Sequence, residues 1–339
     1  MARTPRIGVI GYTNLASGIG IFTHELWRAF GDSIFSVSAD IKGQERWAER
    51  QATVSRPPTM REIVRYLDEF EPEVVVYIET PFSHHLFPIA KEAGVKVVGI
   101  MMHEFFGRDM VRGDLVICPS FSAWEKAKGE KALLFLPISL ELFPYRERTG
   151  HTFLVNVGYG SGLEVDRRQT WKIIEAFCRL DDPRARLVVH SQMPRPGIEV
   201  DDDRITYEVS NLARPADVYD LGDILIAVSA YGGYERTILE GMACGLPVLT
   251  TDADPMNLFQ HDPDFLVPPA KRWMYNEKWI SNTVYNEISV DDLEERMRWL
   301  LTIDTAKYSR RARAQAEAQS WESKDIDYRG AWLKVLSEA

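Results

Sequence analysis

The sequence predicts an α/β protein of two consecutive doubly wound domains. Three observations predict it. Short apolar runs alternate with amphipathic helical stretches through the first half. That rhythm breaks at a proline-bracketed segment and then restarts in the second half. The 339 residues suit two domains of about 150 residues each better than one. Strands separated by helices give parallel sheets covered on both faces.

The first set of strands is expected at 6–11, 33–37, 73–78, 95–101, 114–118 and 132–136, with helices at 18–30, 59–70, 84–93 and 121–128. Pro137 and Pro144 bracket a stretch with neither helical nor strand period, and 146–150 is charged and turn-like. This places the hinge near 138–150, with domains 1–147 and 148–321. The second set runs strand 152–157, helix 170–179, strands 185–190 and 205–208, helix 215–221, strand 224–229, helix 236–244 and strand 247–250. After a helix at 290–301, a long stretch at 307–336 spaces Trp321, Tyr328 and Trp332 for one helical face. A closing helix at about 322–339 is placed either on the first domain or on the second.

Bulk composition narrows the function classes. With 45% hydrophobic residues and nine Trp, the chain buries two cores. Its formal charge of −10 argues against coating nucleic acid or anionic membrane by bulk electrostatics. Cys118, Cys178 and Cys244 are scattered in apolar runs, the usage of reduced, buried thiols. No secretory leader opens the chain and no window reaches the roughly 20 apolar residues of a membrane span. A cytoplasmic protein is expected; its oligomeric state is left open.

Open α/β sheets receive ligands beyond the carboxyl ends of their strands, so the residues just after strands carry the candidates. The richest stretch is 228–248. It holds a strand end, the pair Gly232-Gly233, Tyr234, Glu235, a helix opening at Arg236-Thr237, an inward Glu240, and then Gly245 and Pro247. Free N–H groups at the helix start suit a diphosphate or sugar hydroxyls. A carboxylate a turn or two inside suits a vicinal diol such as ribose.

This stretch resembles the signature of retaining GT-B glycosyltransferases of the large family-4 type (glycosyl transferases group 1), and 241–248 follows it almost throughout. The resemblance implies two Rossmann-like domains facing across a cleft and a nucleotide-diphosphate sugar as donor, with no cofactor. It places Glu240 on the glutamate that holds the donor ribose. The first glutamate of the motif, eight positions earlier, is Gly232 here, and Glu235 stands three residues later. Glu235 is therefore the candidate for the missing carboxylate. Val155-Asn156-Val157-Gly158 resembles the opening strand of the family's second domain, and Asp166-Arg167-Arg168 falls where the family carries its Arg-Lys pair. Two guanidiniums there form a fork for a departing diphosphate, replacing a divalent ion. Arg168 is the expected catalytic cation.

In the first domain, Gly18 and Gly20 take the positions of the family's glycine loop. A dinucleotide fingerprint with Asp40 is the rival, opposed by Thr23 at the third glycine and by a long gap after the strand. By the resemblance, His103 touches the reacting sugar. Glu104, Glu79 and Asp109 are candidates for the acceptor side. No metal site is expected: His84-His85 diverge, and Gly107 stops His103-Glu104 from becoming His-Glu-x-x-His. The acceptor is left open among a glycan, a lipid, a small molecule and a hydroxylated DNA base, as in phage DNA-modifying relatives. Lys271-Arg272-Trp273 and the Arg310, Arg311, Arg313 run are the features favouring DNA. A non-catalytic GT-B scaffold that binds a nucleotide sugar is the alternative outside enzymes.

Overall fold

The computed structural model describes residues 4–37, 44–54, 57–80, 82–105, 113–158, 166–194, 200–277 and 280–339. The chain divides into two compact units. One comprises Met1–Leu136, Lys278–Ser281 and Asp327–Ala339; the other comprises Pro137–Glu277 and Asn282–Ile326.

The first unit is built on a seven-stranded parallel sheet, ordered β3-β2-β1-β4-β5-β6-β7. Its strands are β1 (Ile7–Gly11), β2 (Gly31–Val37), β3 (Gln51–Val54), β4 (Val74–Ile78), β5 (Lys96–Ile100), β6 (Leu115–Cys118) and β7 (Lys131–Leu133). The helices are α1 (Gly18–Phe30), α2 (Met60–Phe70), α3 (Leu86–Glu92) and α4 (Phe121–Lys126). β1 and β4 are buried at every position, as continuous apolar runs in a sheet covered on both faces must be. Thr59 starts α2 with a reciprocal capping box to Glu62. Tyr66 of α2 stacks on Phe35 of β2 at 4.7 Å and shares a buried 2.8 Å hydrogen bond with Ser33.

The second unit repeats the plan with six parallel strands ordered β10-β9-β8-β11-β12-β13. They are β8 (Thr152–Gly158), β9 (Arg186–Ser191), β10 (Ile205–Val209), β11 (Ile224–Ala227), β12 (Val248–Thr251) and β13 (Leu266–Val267). Helices α5 (Thr170–Cys178), α6 (Arg236–Ala243), α7 (Val290–Leu300) and α8 (Thr305–Ala318) cover it, with a 3₁₀ segment at Pro215–Leu221. A two-stranded hairpin, β14 (Pro269–Glu277) with β15 (Ile280–Ile288), follows β13. Each sheet thus reverses strand order beside its first strand, at β1/β4 and at β8/β11. Such reversal points are where ligands bind in open α/β sheets.

The segment after Leu136 is sewn into the second unit. Ile138 bridges Ser320, and its N–H donates to Gln319 O at 3.0 Å. Arg148, 3% exposed, donates to Cys244 O at 3.1 Å and to Asp220 Oδ1 at 3.1 Å.

Several expectations are corrected. β3 and the β14–β15 hairpin were not foreseen, because their residues are largely polar or exposed. The stretch 307–336 is not one helix. It breaks at Gln319–Asp327, where buried Ser320 pairs with Ile138 and Asp327 caps a new helix, α9 (Tyr328–Glu338), by accepting from Gly330 N at 2.8 Å. Trp321 therefore lies on no helix shared with Trp332. Trp332 is fully buried in the first unit, stacks on Phe30 at 6.2 Å and donates Nε1–H to Phe135 O at 3.2 Å. Cys178 is exposed: it is the last residue of α5, at the helix end on the side of the exposed Trp171 and Glu175. Cys118 and Cys244 are buried.

Candidate functional site

Two loops at the carboxyl ends of β8 and β11 carry the chemistry of the second unit. The first leads into α5. Asp166 fixes its last turn, residues 166–170, accepting from Arg168 N at 3.1 Å and from Thr170 N at 2.6 Å. This is a local carboxylate-to-backbone cap, and it leaves both arginine side chains pointing away from their own turn. Gln169 follows in the left-handed region (φ 52°) and donates to Val228 O and Asn286 O, while its Oε1 accepts from Ile288 N at 3.0 Å.

The second loop runs from Val228 to Glu235. Its Ala230 N–H donates to Arg167 O at 2.7 Å, so the two loops are joined by main chain. Tyr231 packs against Tyr275 and Tyr285 of the hairpin, and Tyr234 packs edge-on to Phe259 at 5.0 Å. Glu235 is the last residue before α6 and also sits in the left-handed region, at φ 51°. That backbone turns its side chain back toward Gly232, where a Cβ would collide with Glu235 Oε1. A side chain at 232 would displace the Glu235 carboxylate from this place.

Around Glu235 the expected residues converge. Arg167 Nη1 donates to Oε1 at 3.0 Å, Ser229 Oγ donates to Oε2 at 3.1 Å, and Arg168 Nη1 is in very close contact with Oε2. Arg168 Nη1 also donates to Ser229 Oγ at 2.8 Å. Burial alone pushes the Glu235 carboxyl up, but Arg168 and then Arg167 outweigh it and hold the group below its ordinary value. It is a carboxylate, fixed by charge-assisted hydrogen bonds.

A second buried network lies one turn into α6. Arg236 Nε donates to Glu240 Oε1 at 3.1 Å, the favourable four-residue spacing on one helix face. Tyr219 OH donates to Glu240 Oε2 at 2.6 Å. Desolvation first, and then the Glu240 charge, push the Tyr219 phenol well above its ordinary range, so it remains a donor. Thr237 is half-buried on the same helix and Gly233 half-buried in the loop.

In the first unit the candidates follow neighbouring strands. Ser17 caps α1 by accepting from Gly20 N at 3.1 Å, and a Cβ on Gly20 would strike Asn14 O. Among the described residues, nothing lies within 4 Å of where a Cβ on Gly18 would be. Glu79 stands after β4 at φ 60°, its N–H donating to Ile100 O at 2.8 Å. His103 and Glu104 open a single helical turn after β5 and are 5% and 7% exposed. Burial, and then Lys126, pull the His103 pKa down to about 3, so its ring is neutral. Its Nδ1 lies 3.7 Å from Glu104 Oε2, beyond hydrogen-bond range. Asp109 lies outside the described residues, as does Asp40.

The structure thus brings Arg167, Arg168, Gly232 and Glu235 to one point, and Arg236 with Glu240 to a neighbouring one. Sequence reasoning missed Asp166, Gln169, Ser229, Tyr219 and Asn286. Asp166 alone carried a local signal, an aspartate four residues before a helix-starting threonine. Among the described residues, no three His, Cys, Asp or Glu side chains gather to hold a metal ion. No described helix is long and apolar enough to cross a membrane. The basic run on α8 is paired: Arg310 with Glu147, Arg311 with Asp262 and Arg313 with Glu317, each at 2.7 Å.

Comparison with known proteins places this geometry in context. Residues 157–278, which carry both loops, match the model of the family described as glycosyl transferases group 1. Among solved structures, the sucrose-phosphate synthase of Thermosynechococcus elongatus superposes with a TM-score of 0.70 at 13% identity, over 99% of this chain and 100% of that one. A glycosyltransferase from Rickettsia africae gives 0.70 at 13% identity, over 99% of each chain. Anabaena HepE, solved in complex with UDP and glucose, gives 0.67 at 11% identity, over 99% and 100%. No curated protein sequence matches the chain. The fold is GT-B: α/β, with two parallel sheets of seven and six strands.

Proposed function

We propose that the chain is a glycosyltransferase that moves a sugar from a nucleoside-diphosphate donor to an acceptor hydroxyl, with retention of configuration and without a metal ion. The observation that carries this reading is the meeting of Arg167 and Arg168 at the start of α6, inside the span that matches glycosyl transferases group 1. A departing diphosphate gains negative charge as the anomeric C–O bond breaks. Two guanidiniums together with the positive end of the α6 dipole are suited to take up that charge where other enzymes use a divalent cation.

In this reading Glu240 holds the ribose. Its two oxygens each accept one bond already, from Arg236 and Tyr219, and an ionised carboxylate offers about four acceptor sites. Gly232, Gly233, Tyr234 and Thr237 line the diphosphate and sugar. Gly18 and Gly20 contribute a backbone approach, His103 contacts the reacting sugar as a neutral imidazole, and Glu79, Glu104 and Asp109 serve the acceptor. HepE's reported UDP and glucose make UDP-glucose the first donor to try. The decisive experiment is a thermal-shift panel of nucleoside diphosphates and their sugars, since a ligand that binds the native state raises its melting point. A flat response across the panel removes the proposal.

A second reading, a scaffold that binds the nucleotide sugar without transferring it, is favoured by Gly232 standing at the motif's first glutamate. Release of free sugar from the preferred donor in the absence of acceptor decides for the enzyme.

A further inference from the structure

Glu235 is the most enclosed member of the arginine cluster. Its side chain is 1% exposed, against 32% for Arg167 and 14% for Arg168. Three donors, from Arg167, Arg168 and Ser229, converge on its two oxygens. Two unusual choices in the sequence seat that carboxylate. A non-glycine residue is held in the left-handed region at 235, and a side chain is missing at 232 where any Cβ would collide with Oε1. A residue with a Cβ is strained in that conformation, so the contacts to the carboxylate offset a real cost.

A carboxylate bridging two guanidiniums offers them the pairing that phosphate oxygens offer. We propose that Glu235 is an internal counter-anion that competes with the diphosphate for Arg167 and Arg168, and so limits how tightly donor and departing product are held. This rests on the donor reading given above. The two arginines carry two positive charges and Glu235 returns one negative charge, so an incoming anion meets half the attraction that the arginines alone would exert. As the diphosphate leaves, the carboxylate re-pairs with the arginines and lowers the barrier to release, the step that limits turnover in many transferring enzymes.

Isothermal titration calorimetry tests this on the full chain with inorganic pyrophosphate, with ADP, GDP, UDP, CDP and dTDP, and with the parent nucleosides. Glu235→Gln keeps the shape of the side chain and removes its charge. It is expected to bind pyrophosphate and the preferred diphosphate at least about tenfold more tightly, with nucleoside affinity unchanged. Glu235→Asp, whose shorter side chain draws the carboxylate back from the arginines in a left-handed position that aspartate tolerates, moves affinity the same way by roughly threefold. If circular dichroism shows Glu235→Gln unfolded, Glu235→Asp alone decides. Equal or weaker pyrophosphate binding by the variant that folds overturns the competition, as does pyrophosphate binding by neither variant nor wild type. A wild type that binds pyrophosphate but treats every nucleoside diphosphate alike removes the donor reading and leaves the competition standing.

Discussion

Tyr219 donates its phenolic hydrogen to Glu240 across 2.6 Å, joining the 3₁₀ segment after β10 to the first turns of α6. The bond is fully enclosed, and Arg236 holds the other oxygen of the same carboxylate. The position of Glu240 is therefore set by a residue twenty-one places earlier in the chain. Tyr219→Phe keeps the ring and strands Glu240 Oε2 without this donor. A loss of about 1–3 kcal/mol is expected in denaturant unfolding. In the donor reading, diphosphate binding weakens further than binding of pyrophosphate, because ribose recognition is what suffers.

Removing Arg168 separates catalysis from folding. Arg168→Ala is expected to lower sugar release or transfer by roughly 100-fold or more. It also leaves Glu235 buried with fewer partners, which costs about 3–5 kcal/mol of stability. The double variant Arg168→Ala/Glu235→Ala should regain most of that stability and none of the turnover. Unchanged turnover in the single variant withdraws Arg168 from the leaving-group role.

The buried neutral His103 makes the first unit acid-sensitive. Its folded pKa of about 3 lies below the ordinary 6.5, so between those values the unfolded chain binds a proton that the folded chain refuses. Stability from this group is intact above pH 6.5 and falls as pH drops, by up to about 1.4 kcal/mol per unit. Chemical denaturation at a series of pH values should show the slope in wild type and its loss in His103→Gln. An equal slope in both proteins assigns the acid sensitivity elsewhere.

Glu235 adds a window at lower pH. Its folded pKa is depressed by Arg168 and Arg167 against the pull of burial, so its stabilisation is present above the ordinary glutamate value and is lost as pH falls through the folded one. Wild type should lose its stability advantage over Glu235→Gln on acidification below about pH 4.5, the unfolded reference for a glutamate. The comparison is made on melting temperatures at pH 6 and pH 3.5.

Much of the architecture was legible because buried parallel strands are written as apolar runs: β1, β4, β5, β8, β11 and β12 lie where the sequence puts them. β3 and the hairpin were not, since Gln51–Val54 carries little apolar signal and Lys271–Met274 is exposed on both faces. Trp321, Tyr328 and Trp332 keep a helical spacing across a break set by the long-range Ile138–Ser320 pairing, which no local period reports. In the site, the arginine pair and Glu240 could be read from their places beside strand ends and a helix start. The occupation of Gly232's side-chain space by Glu235 could not. That relation exists only once a left-handed residue at 235 folds its side chain back, and spacing along the chain does not encode it.

Trp332 completes the packing of the first unit from 197 residues beyond Phe135. During synthesis the amino-terminal sheet therefore waits, with Phe30 and the Phe135 carbonyl uncovered, until the second unit and α9 have both left the ribosome. A fragment ending at Leu136, or a bulky fusion joined close behind α9, meets the same deficit, so its expected failure is aggregation of the half of the chain that looks complete.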